Sequence, residues 1–209
     1  MTNPAGPVRL SLPEYAYYAV LRGVFSRFAS EWPDISLSIN FNEEPVDLMR
    51  QPYDVDFRTG PLPDSTLQAR KTVRITPTLH ASPKFLESNF VPKMPDDLRN
   101  LPCISFSRIG PIWNLEKGKR RQAIPIKVAH SLGSPSLCMD FALAGHGVAM
   151  LSDHLFLEND HKGELVRVLP DWTGPTHDMY MVTAGGQKPR RIKIFVDYVA
   201  DYLSSRFAT

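Results

Sequence analysis

The chain has 209 residues and a formal net charge of +2; 43% of its residues are hydrophobic and 22% are charged. These values are typical of a globular protein with room for one large domain or two small lobes, and they exclude a general affinity of the chain for polyanions. No apolar run approaches the roughly 20 residues of a membrane-spanning helix. Two cysteines make no disulfide framework, and the first residues lack a secretion signal, so we expect a cytoplasmic protein.

The first third of the sequence predicts alternating strands and helices. Strands are expected at residues 8–12, 35–41 and 55–59, and short helices are expected from about residue 12 to Trp32 and from Pro45. Ser11 and Glu14 are spaced like a capping box at the start of the first helix. The order β-α-β-α-β favours a parallel sheet with helices on its faces.

A second set of elements is expected after His80. The predicted helices cover residues 84–89, 95–100, 135–145 and 153–159, and a last helix begins at Pro189. The predicted strands cover residues 103–107, 124–128, 148–151, 165–169 and 179–184. Ser134 is the expected N-cap of the helix at 135–145. The basic run at 117–121 is expected in a solvated hairpin turn.

Six short motifs follow one another in register. They are F-x-x-x-W-P-x-I-x-L from Phe28, D-V-D-F-R-T-G-P-L-P-D-S-T-L from Asp54, A-S-P from Ala81, L-x-N-L-P-C-I-S-F from Leu98, A-x-A-G-x-G-V-A-x-L from Ala142 and G-E-L-V-R-V-L-P-D-W from Gly163. Together they resemble the effector-binding domain of LysR-type transcriptional regulators over residues 8–207. The sequence departs from that pattern at Ser152, where the family often has proline.

The resemblance implies an α/β fold of two Rossmann-like lobes joined by two crossing strands, the periplasmic-binding-protein type 2 fold. Residues 8–76 and 181–209 would form regulatory lobe I, and residues 77–180 would form lobe II. The winged helix-turn-helix DNA-binding domain of the family is not expected within this chain, so DNA would be contacted only through a domain missing here. The resemblance also implies a homodimer or homotetramer, with residues 15–31 and 35–41 of one copy against the second lobe of its twin.

A small-molecule effector is expected in the cleft between the lobes, because ligands of open α/β sheets bind beyond the carboxyl ends of the strands. The candidate residues lie at those ends, at a helix start and at the hinge. They are Ser11, Leu12, Pro13, Glu14, Tyr15, Asn42, Glu43, Arg58, Thr59, Gly60, His80, Ser107, Arg108, Ser134, Pro135 and Ser136. Serine and threonine hydroxyls with helix-terminal N–H groups would suit a carboxylate or other small anion. Glu14 and Glu43 argue against an anion.

Each candidate also has a structural interpretation. Ser11 and Ser134 are typical helix N-caps, and Arg58 is typical of a local ion pair with Asp56 or Asp64. His80 is typical of a hydrogen-bonded structural histidine. Both interpretations stay open at the level of the sequence.

Catalytic, metal and cofactor functions are not expected. Cys103 and Cys138 lie in apolar surroundings as packing thiols, the histidines lack metal-ligand spacing, and no phosphate-binding or nucleophile motif is present. The alternative function is a periplasmic-type solute-binding protein that delivers a small molecule to a transporter. The aromatic density of residues 15–32 favours an exposed self-association face and therefore the regulator.

Overall fold

The structure, a computed structural model, describes residues 3–62, 66–156 and 163–207. It divides into two compact units, one of Met1–Arg74 with His177–Thr209 and the other of Ile75–Thr176. The expected boundaries were at 76/77 and 180/181. The second one differs because Met179 and Tyr180 pair with Thr59 and Arg58, which ties this strand to the first unit.

The strands are numbered in chain order. They are β1 (Gly6–Leu12), β2 (Ile35–Phe41), β3 (Val55–Thr59), β4 (Gln68–Ile75), β5 (Pro77–Ala81), β6 (Pro102–Phe106), β7 (Ile112–Lys117), β8 (Arg120–Pro125), β9 (Lys127–Leu132), β10 (Val148–Ser152), β11 (Val166–Arg167) and β12 (His177–Thr183). The α-helices are α1 (Glu14–Ala16), α2 (Val24–Glu31), α3 (Pro83–Ser88), α4 (Pro135–Leu143) and α5 (Arg190–Phe207). A π-helical segment covers Tyr17–Leu21, and 3-10 helices cover Pro95–Arg99 and Asp153–Phe156.

The first unit contains a five-stranded sheet in the order β2-β1-β3-β12-β4. β1 pairs in parallel with β2 and β3, whereas β12 is antiparallel to β3. The carboxyl ends of β1, β2 and β3 therefore lie at one edge of the sheet, as the β-α-β-α-β pattern predicted. α5 covers this sheet with Ile192, Phe195, Val199 and Leu203 buried, which confirms the predicted inward stripe.

The helix predicted between β1 and β2 is interrupted. After α1 and the π-helical segment, Gly23 adopts a left-handed conformation with φ of 84° before α2 begins. The capping-box prediction is wrong, since α1 begins after Pro13 and Ser11 is a buried residue of β1. The buried residues Leu21, Phe25 and Phe28 keep the predicted apolar face even though a glycine divides the helix.

Two further predictions for the first unit need correction. The prediction of a helix from Pro45 is wrong, because these residues form an irregular segment followed by a turn at 48–50. β2 occupies the predicted residues, but its apolar side is buried only at Ile35. Ile39 is 38% exposed and Phe41 is 53% exposed, so the second half of this edge strand shows its apolar side to solvent.

The second unit contains a five-stranded sheet in the order β11-β5-β10-β6-β9 and a separate β7–β8 hairpin. β6 pairs in parallel with β9 and β10, and β5 is antiparallel to β10. The core is one cluster that includes Leu79, Cys103, Trp113, Leu115 and Trp172. Trp113 and Leu115, which lie on the same face of β7, enter this core and fix the hairpin against the unit.

The second unit confirms most predicted elements and changes some bounds. The hairpin turn at 117–121 is confirmed, and α4 ends at Leu143 rather than at Gly145. The strand expected at 165–169 is reduced to β11. The helix expected at 95–100 is a 3-10 helix. The helix expected at 153–159 is also a 3-10 helix in its described part, and its residues 157–159 lie outside the described ranges. The strand expected at 124–128 covers the end of β8 and the start of β9, and the rest of β9 was not predicted, because its exposed residues have no apolar alternation.

Candidate functional site

Polar residues of the first unit meet at the carboxyl edge of β1, β2 and β3. The Asn42 backbone N–H donates to Leu12 O at 2.9 Å, and its side-chain Nδ2 donates to Ser11 Oγ at 3.3 Å. The Tyr15 hydroxyl hydrogen-bonds to Thr59 Oγ1. These contacts join residues at or just after the carboxyl ends of β1, β2 and β3. The predicted candidates Ser11, Leu12, Tyr15, Asn42 and Thr59 therefore form one local cluster, here called the strand-end cluster.

Glu43 gives the strand-end cluster a negative side. Its Oε1 accepts a hydrogen bond from the Glu14 backbone N–H at 3.0 Å. This N–H is at the start of α1, where an effector carboxylate would otherwise find a donor. The position is therefore already taken by a carboxylate of the protein. A ligand group with its own hydrogen-bond donors fits here better than an anion.

Arg58 is engaged inside the first unit. Its Nε lies 2.6 Å from Asp56 Oδ2, and its guanidinium also donates to Val46 O at 2.8 Å. Only 12% of the Arg58 side chain and 2% of the Asp56 side chain are exposed. This geometry agrees with the structural interpretation, in which Arg58 pairs with Asp56. The other suggested partner, Asp64, lies outside the described residues. The candidates Pro13 and Gly60 have no polar side chain and could offer a ligand only backbone groups. The Gly60 N–H donates to Asp178 O at 3.0 Å.

The second unit also gathers candidates at one edge of its sheet. Phe106 and Leu132 are paired at the carboxyl ends of the parallel strands β6 and β9. The Ser107 backbone N–H donates to Leu132 O at 2.8 Å, and Ser134 follows two residues after that carbonyl. Ser107 and Arg108 are exposed in the turn after β6. The loop after β6 and the start of α4 are therefore neighbours.

Ser134 begins α4 without acting as a side-chain cap. Among the described residues, its hydroxyl accepts no hydrogen bond from a backbone N–H of the first turn of α4; instead it lies 2.6 Å from the Ser136 hydroxyl, and either hydroxyl can donate. Pro135 has no N–H, so the N–H groups of Ser136 and Leu137 are the donors of this turn. Two hydroxyls and these N–H groups form a small surface rich in hydrogen-bond donors.

His80 is a buried structural residue of β5. Its Nε2 lies 2.7 Å from Thr78 Oγ1, and the Thr78 hydroxyl is 3.3 Å from Leu151 O. Burial, and then the positive charge of Arg167, lowers the pKa of His80 to about 4. His80 is therefore neutral at physiological pH.

The two thiols have the properties of packing residues. Burial raises the pKa of Cys103 to about 12 and that of Cys138 to about 11. Thiolates are the reactive form of cysteine, so both side chains are poor nucleophiles at neutral pH. Within the described ranges, His, Cys, Asp and Glu side chains do not gather in groups of three or more that could hold a metal ion.

Sequence reasoning missed three polar residues that organise these clusters. Tyr53 accepts a hydrogen bond from Asn42 Nδ2 at 3.2 Å, Thr78 holds His80, and Ser105 Oγ donates to Gly110 O at 2.6 Å in the loop that precedes β7. The i, i+2 spacing of Thr78 and His80 on one strand face could have indicated their contact. Tyr53 follows a turn, and no local pattern relates it to Asn42.

Comparisons with known proteins agree with this architecture. The family model described as the LysR substrate binding domain matches residues 2–204. An HTH-type transcriptional regulator of Xanthomonas campestris pv. campestris (strain 8004) is 27% identical over an alignment 210 residues long, which covers 97% of this chain. The chain spans 61% of the length of that relative.

Solved structures give the same result. The full-length virulence activator AphB of Vibrio cholerae, a member of the LTTR protein family, has a TM-score of 0.86 and 25% identity over 96% of this chain and 70% of its own. The regulatory domain of AphB in Vibrio vulnificus has a TM-score of 0.84 and 25% identity over 96% of this chain and all of its own (100%).

The fold is therefore the two-lobe α/β fold of LysR-type regulatory domains, the periplasmic-binding-protein type 2 class. The chain belongs to the LysR substrate-binding domain family, the effector-sensing part of LysR-type transcriptional regulators. The relatives support the regulator over the solute-binding alternative, and those reported are regulators rather than enzymes. None of the helices within the described residues is long and apolar enough to cross a bilayer.

Proposed function

We propose that this domain senses a small molecule for a transcriptional regulator that acts on DNA in the cytoplasm. The family match and the regulator names of the relatives support this assignment. In the proposed protein, DNA is contacted by a helix-turn-helix domain outside these residues. The observation that carries the sensing role is the presence of a polar cluster at the carboxyl strand ends of each unit, where α/β sheets bind ligands.

The chemistry of the two clusters suggests the class of effector. The start of α4 offers hydroxyls and N–H groups, which suit a carboxylate. The strand-end cluster offers Glu43, Asn42 and the Tyr15–Thr59 pair, which suit hydroxyl or amino groups. We therefore propose a small carboxylic acid that also carries a hydrogen-bond donor. The expectation that both clusters contact one molecule in an interlobe cleft stays a prediction.

Signalling is proposed to be a population shift. The effector would bind one of two conformations more tightly and so displace the equilibrium of a dimer or tetramer. A coupling free energy of about 1–3 kcal/mol is typical of such systems and corresponds to an affinity change of roughly 5–150-fold. No chemical change of the effector is required.

The proposal is tested with the variant Ser134→Tyr. The purified domain is screened against hydroxy and amino carboxylates by thermal shift, because a ligand of the native state raises the melting temperature by mass action. Ser134→Tyr should lose the shift while keeping the wild-type circular dichroism spectrum. Ser205→Tyr, at an exposed serine of α5, is the control and should keep it. An unchanged shift in Ser134→Tyr would contradict the proposed site.

A further inference from the structure

The β7–β8 hairpin of the second unit carries a concentrated positive charge at its turn. The hairpin is a separate two-stranded sheet that pairs Lys117 with Arg120 across the turn, with Gly118 and Lys119 between them. Arg121 follows, so four cationic side chains lie within five consecutive residues. The net charge of the whole chain is only +2. The positive charge of this protein is therefore concentrated at the hairpin turn.

The core holds the base of the hairpin and leaves its turn in solvent. Trp113, Leu115 and Ile124 are at most 2% exposed and belong to the core of the second unit. Lys117 and Arg120 lie on the same face beyond these buried residues and are exposed, because side chains alternate between faces along a strand. The turn is thus fixed to the unit by buried side chains while its charged groups stay accessible to a partner.

Carboxylates balance the charge of two of the four cationic side chains. Lys117 Nζ lies 2.6 Å from Asp171 Oδ2, and Arg121 Nε lies 3.2 Å from Glu116 Oε1. The four side chains of these pairs are between 28% and 79% exposed. Such pairs are weak, because water and salt screen them. The cations of both pairs are therefore available to an incoming phosphate group at little cost.

The other two cations, Lys119 and Arg120, have no ion-pair or hydrogen-bond partner for their side chains among the described residues. Arg120 also stands directly opposite Lys117 in the register of the hairpin. Like charges at directly opposed positions of two antiparallel strands destabilise the strand pair. Folding alone therefore does not account for this arrangement, whereas an anionic partner at the turn stabilises it.

We infer that the turn of the β7–β8 hairpin binds the phosphate backbone of duplex DNA. Lysine and arginine donate charge-assisted hydrogen bonds to phosphate oxygens, and arginine can donate two of them in parallel. A two-stranded β-ribbon is narrow enough to lie in the major groove, with phosphates on both sides. The contact is independent of base sequence, because phosphates carry no sequence information. The sequence predicted a solvated turn and DNA contact only through a domain outside this chain, so the hairpin adds a second contact.

Duplex DNA is chosen over an acidic protein because of the function proposed above, a regulator that acts on DNA. The inference depends on that proposal only for this choice of partner. Each phosphate that a cation neutralises releases condensed counterions, so even a few contacts raise the affinity at low salt. The contact of each regulatory domain adds to that of the DNA-binding domains through effective concentration. The hairpin thus helps to hold the regulator on DNA without selecting the site.

The test titrates the 209-residue domain into a fluorescein-labelled DNA duplex of random sequence and follows the fluorescence anisotropy. The wild type should bind, and the logarithm of its association constant should fall linearly with log[NaCl] between about 50 and about 200 mM. Lys119→Gln/Arg120→Gln should weaken binding at least about tenfold at about 50 mM NaCl and make the slope shallower by about 2, since each phosphate contact contributes about 0.9. An unchanged circular dichroism spectrum is the evidence that this variant keeps the fold.

The matched control is Lys84→Gln/Arg190→Gln, which removes one lysine and one arginine charge at exposed positions outside the hairpin. It should keep the slope of the wild type. Equal weakening in both double variants would overturn the inference, because net charge and not the hairpin would then attract DNA. Absence of wild-type binding at about 50 mM NaCl would also overturn it.

A polyglutamate with the same number of charges as the duplex distinguishes DNA from an acidic protein. It should bind the wild type more weakly than the duplex does, and equal affinity with equal loss in Lys119→Gln/Arg120→Gln would assign the hairpin to an acidic protein instead. The thermal-shift screen for the effector does not involve the hairpin. Ser134→Tyr should bind the duplex like the wild type, so either proposal can fail alone.

Discussion

Asp56 and Arg58 form a buried ion pair that also fixes the irregular segment before β3. Asp56 Oδ2 accepts from Val46 N at 3.3 Å, and Arg58 donates to Val46 O at 2.8 Å. Both charges have lost most of their hydration, so neither is tolerated without the other. The pair therefore contributes to the position of residues 44–47 next to the strand-end cluster.

Replacing Arg58 with methionine should leave the Asp56 carboxylate buried and unpaired. We expect the free energy of unfolding in urea to fall by about 3 kcal/mol, the lower end of the range for breaking such a pair. Arg50→Met removes an arginine whose 3.6 Å pair with Asp47 is 87% and 51% exposed, and should cost under about 1 kcal/mol. An equal loss of unfolding free energy in Arg58→Met and Arg50→Met would show that the Arg58–Asp56 pair behaves like a solvent-exposed pair.

His80 should make stability depend on pH in a defined window. Its pKa is lowered to about 4 by burial and by Arg167, from an unfolded value near 6.5. Below pH 6.5 the unfolded chain takes up a proton that the folded chain does not. The contribution of His80 to the free energy of unfolding is therefore fully present above pH 6.5. It is lost as pH falls toward 4, by about 1.4 kcal/mol per pH unit.

The test compares urea unfolding of His80→Gln and the wild type at pH 7.5, 6 and 5. The variant should lose less stability over this range, because it lacks one proton-binding group. His146→Gln, at an exposed histidine, should follow the wild type. A parallel pH dependence of His80→Gln and the wild type would contradict the lowered pKa.

Sequence patterns predicted these residue roles unevenly. The pairing of Arg58 with Asp56 was one of the two local ion pairs that the sequence suggested, and residues i and i+2 of a strand share a face. The sequence did not predict which hydrogen bond the Ser134 hydroxyl makes. Ser134 has the N-cap position, but its hydroxyl contacts the Ser136 hydroxyl instead of a backbone N–H. The contact of Glu43 with Glu14 N depends on the parallel pairing of β1 and β2, which no local pattern contains.

At the scale of elements, β6 and β10 approach each other closely at Gly147. A Cβ atom built there would lie 2.6 Å from Pro102 O. This oxygen belongs to backbone, so it cannot move away as the end of a flexible side chain could. Only glycine allows β10 to begin beside β6 in the observed register of Val148 with Cys103.

Gly147→Ala should therefore destabilise the second unit by about 1–3 kcal/mol, as for other substitutions that force atoms into an occupied space. Urea unfolding followed by circular dichroism measures the change. Gly133→Ala is the matched control, since a Cβ there meets nothing within 4 Å, and its effect should be small. A stability of Gly147→Ala like that of the control would mean that β6 and β10 can separate without cost.

Elements with strong periodicity were predicted well, and those governed by tertiary contacts were not. The stripe of α5 and the alternation of β2 gave the correct residues. The interruption at Gly23 was missed, because the apolar spacing from Leu21 to Phe28 continues across it. β9 is a strand because it pairs with β6, although its own residues are mostly exposed.

At the scale of the whole molecule, the apolar side of β2 stays exposed to solvent in a single copy of the chain. Tyr17 contacts Phe41, with ring centroids 5.8 Å apart, so the aromatic surface continues from the helix to the strand. An apolar edge strand left in solvent promotes association. We propose that this side of β2 is part of the interface with a second copy of the chain.

Ile39→Lys/Phe41→Lys should weaken self-association, because lysines at the centre of an interface lose their hydration without gaining a partner. We expect at least a tenfold higher dissociation constant in sedimentation equilibrium. The control Met49→Lys changes a residue of the first unit that is 70% exposed and lies outside residues 15–31 and 35–41. It should associate like the wild type. Association retained by the β2 variant would show that the interface lies elsewhere.

The family and fold were predictable at this scale because six motifs occur in register, each adjoining a strand end or a turn. The boundaries of the two units were less predictable from the sequence. Pro77 suggested a break in the first connection, and β4 ends at Ile75. In the second connection, the extended residues at 177–183 are continuous, and their place between β3 and β4 in the first sheet assigns them to the first unit.

The placement of β12 has a consequence for biosynthesis on the ribosome. Residues 75–176 emerge as one uninterrupted segment, so the second unit can fold as soon as it has left the exit tunnel. The first sheet, in contrast, lacks its inner strand between β3 and β4 until residues 177–183 are translated. The nascent chain therefore completes its later-made half first, and the earlier-made half waits with two unpaired strand edges that chaperones are suited to cover.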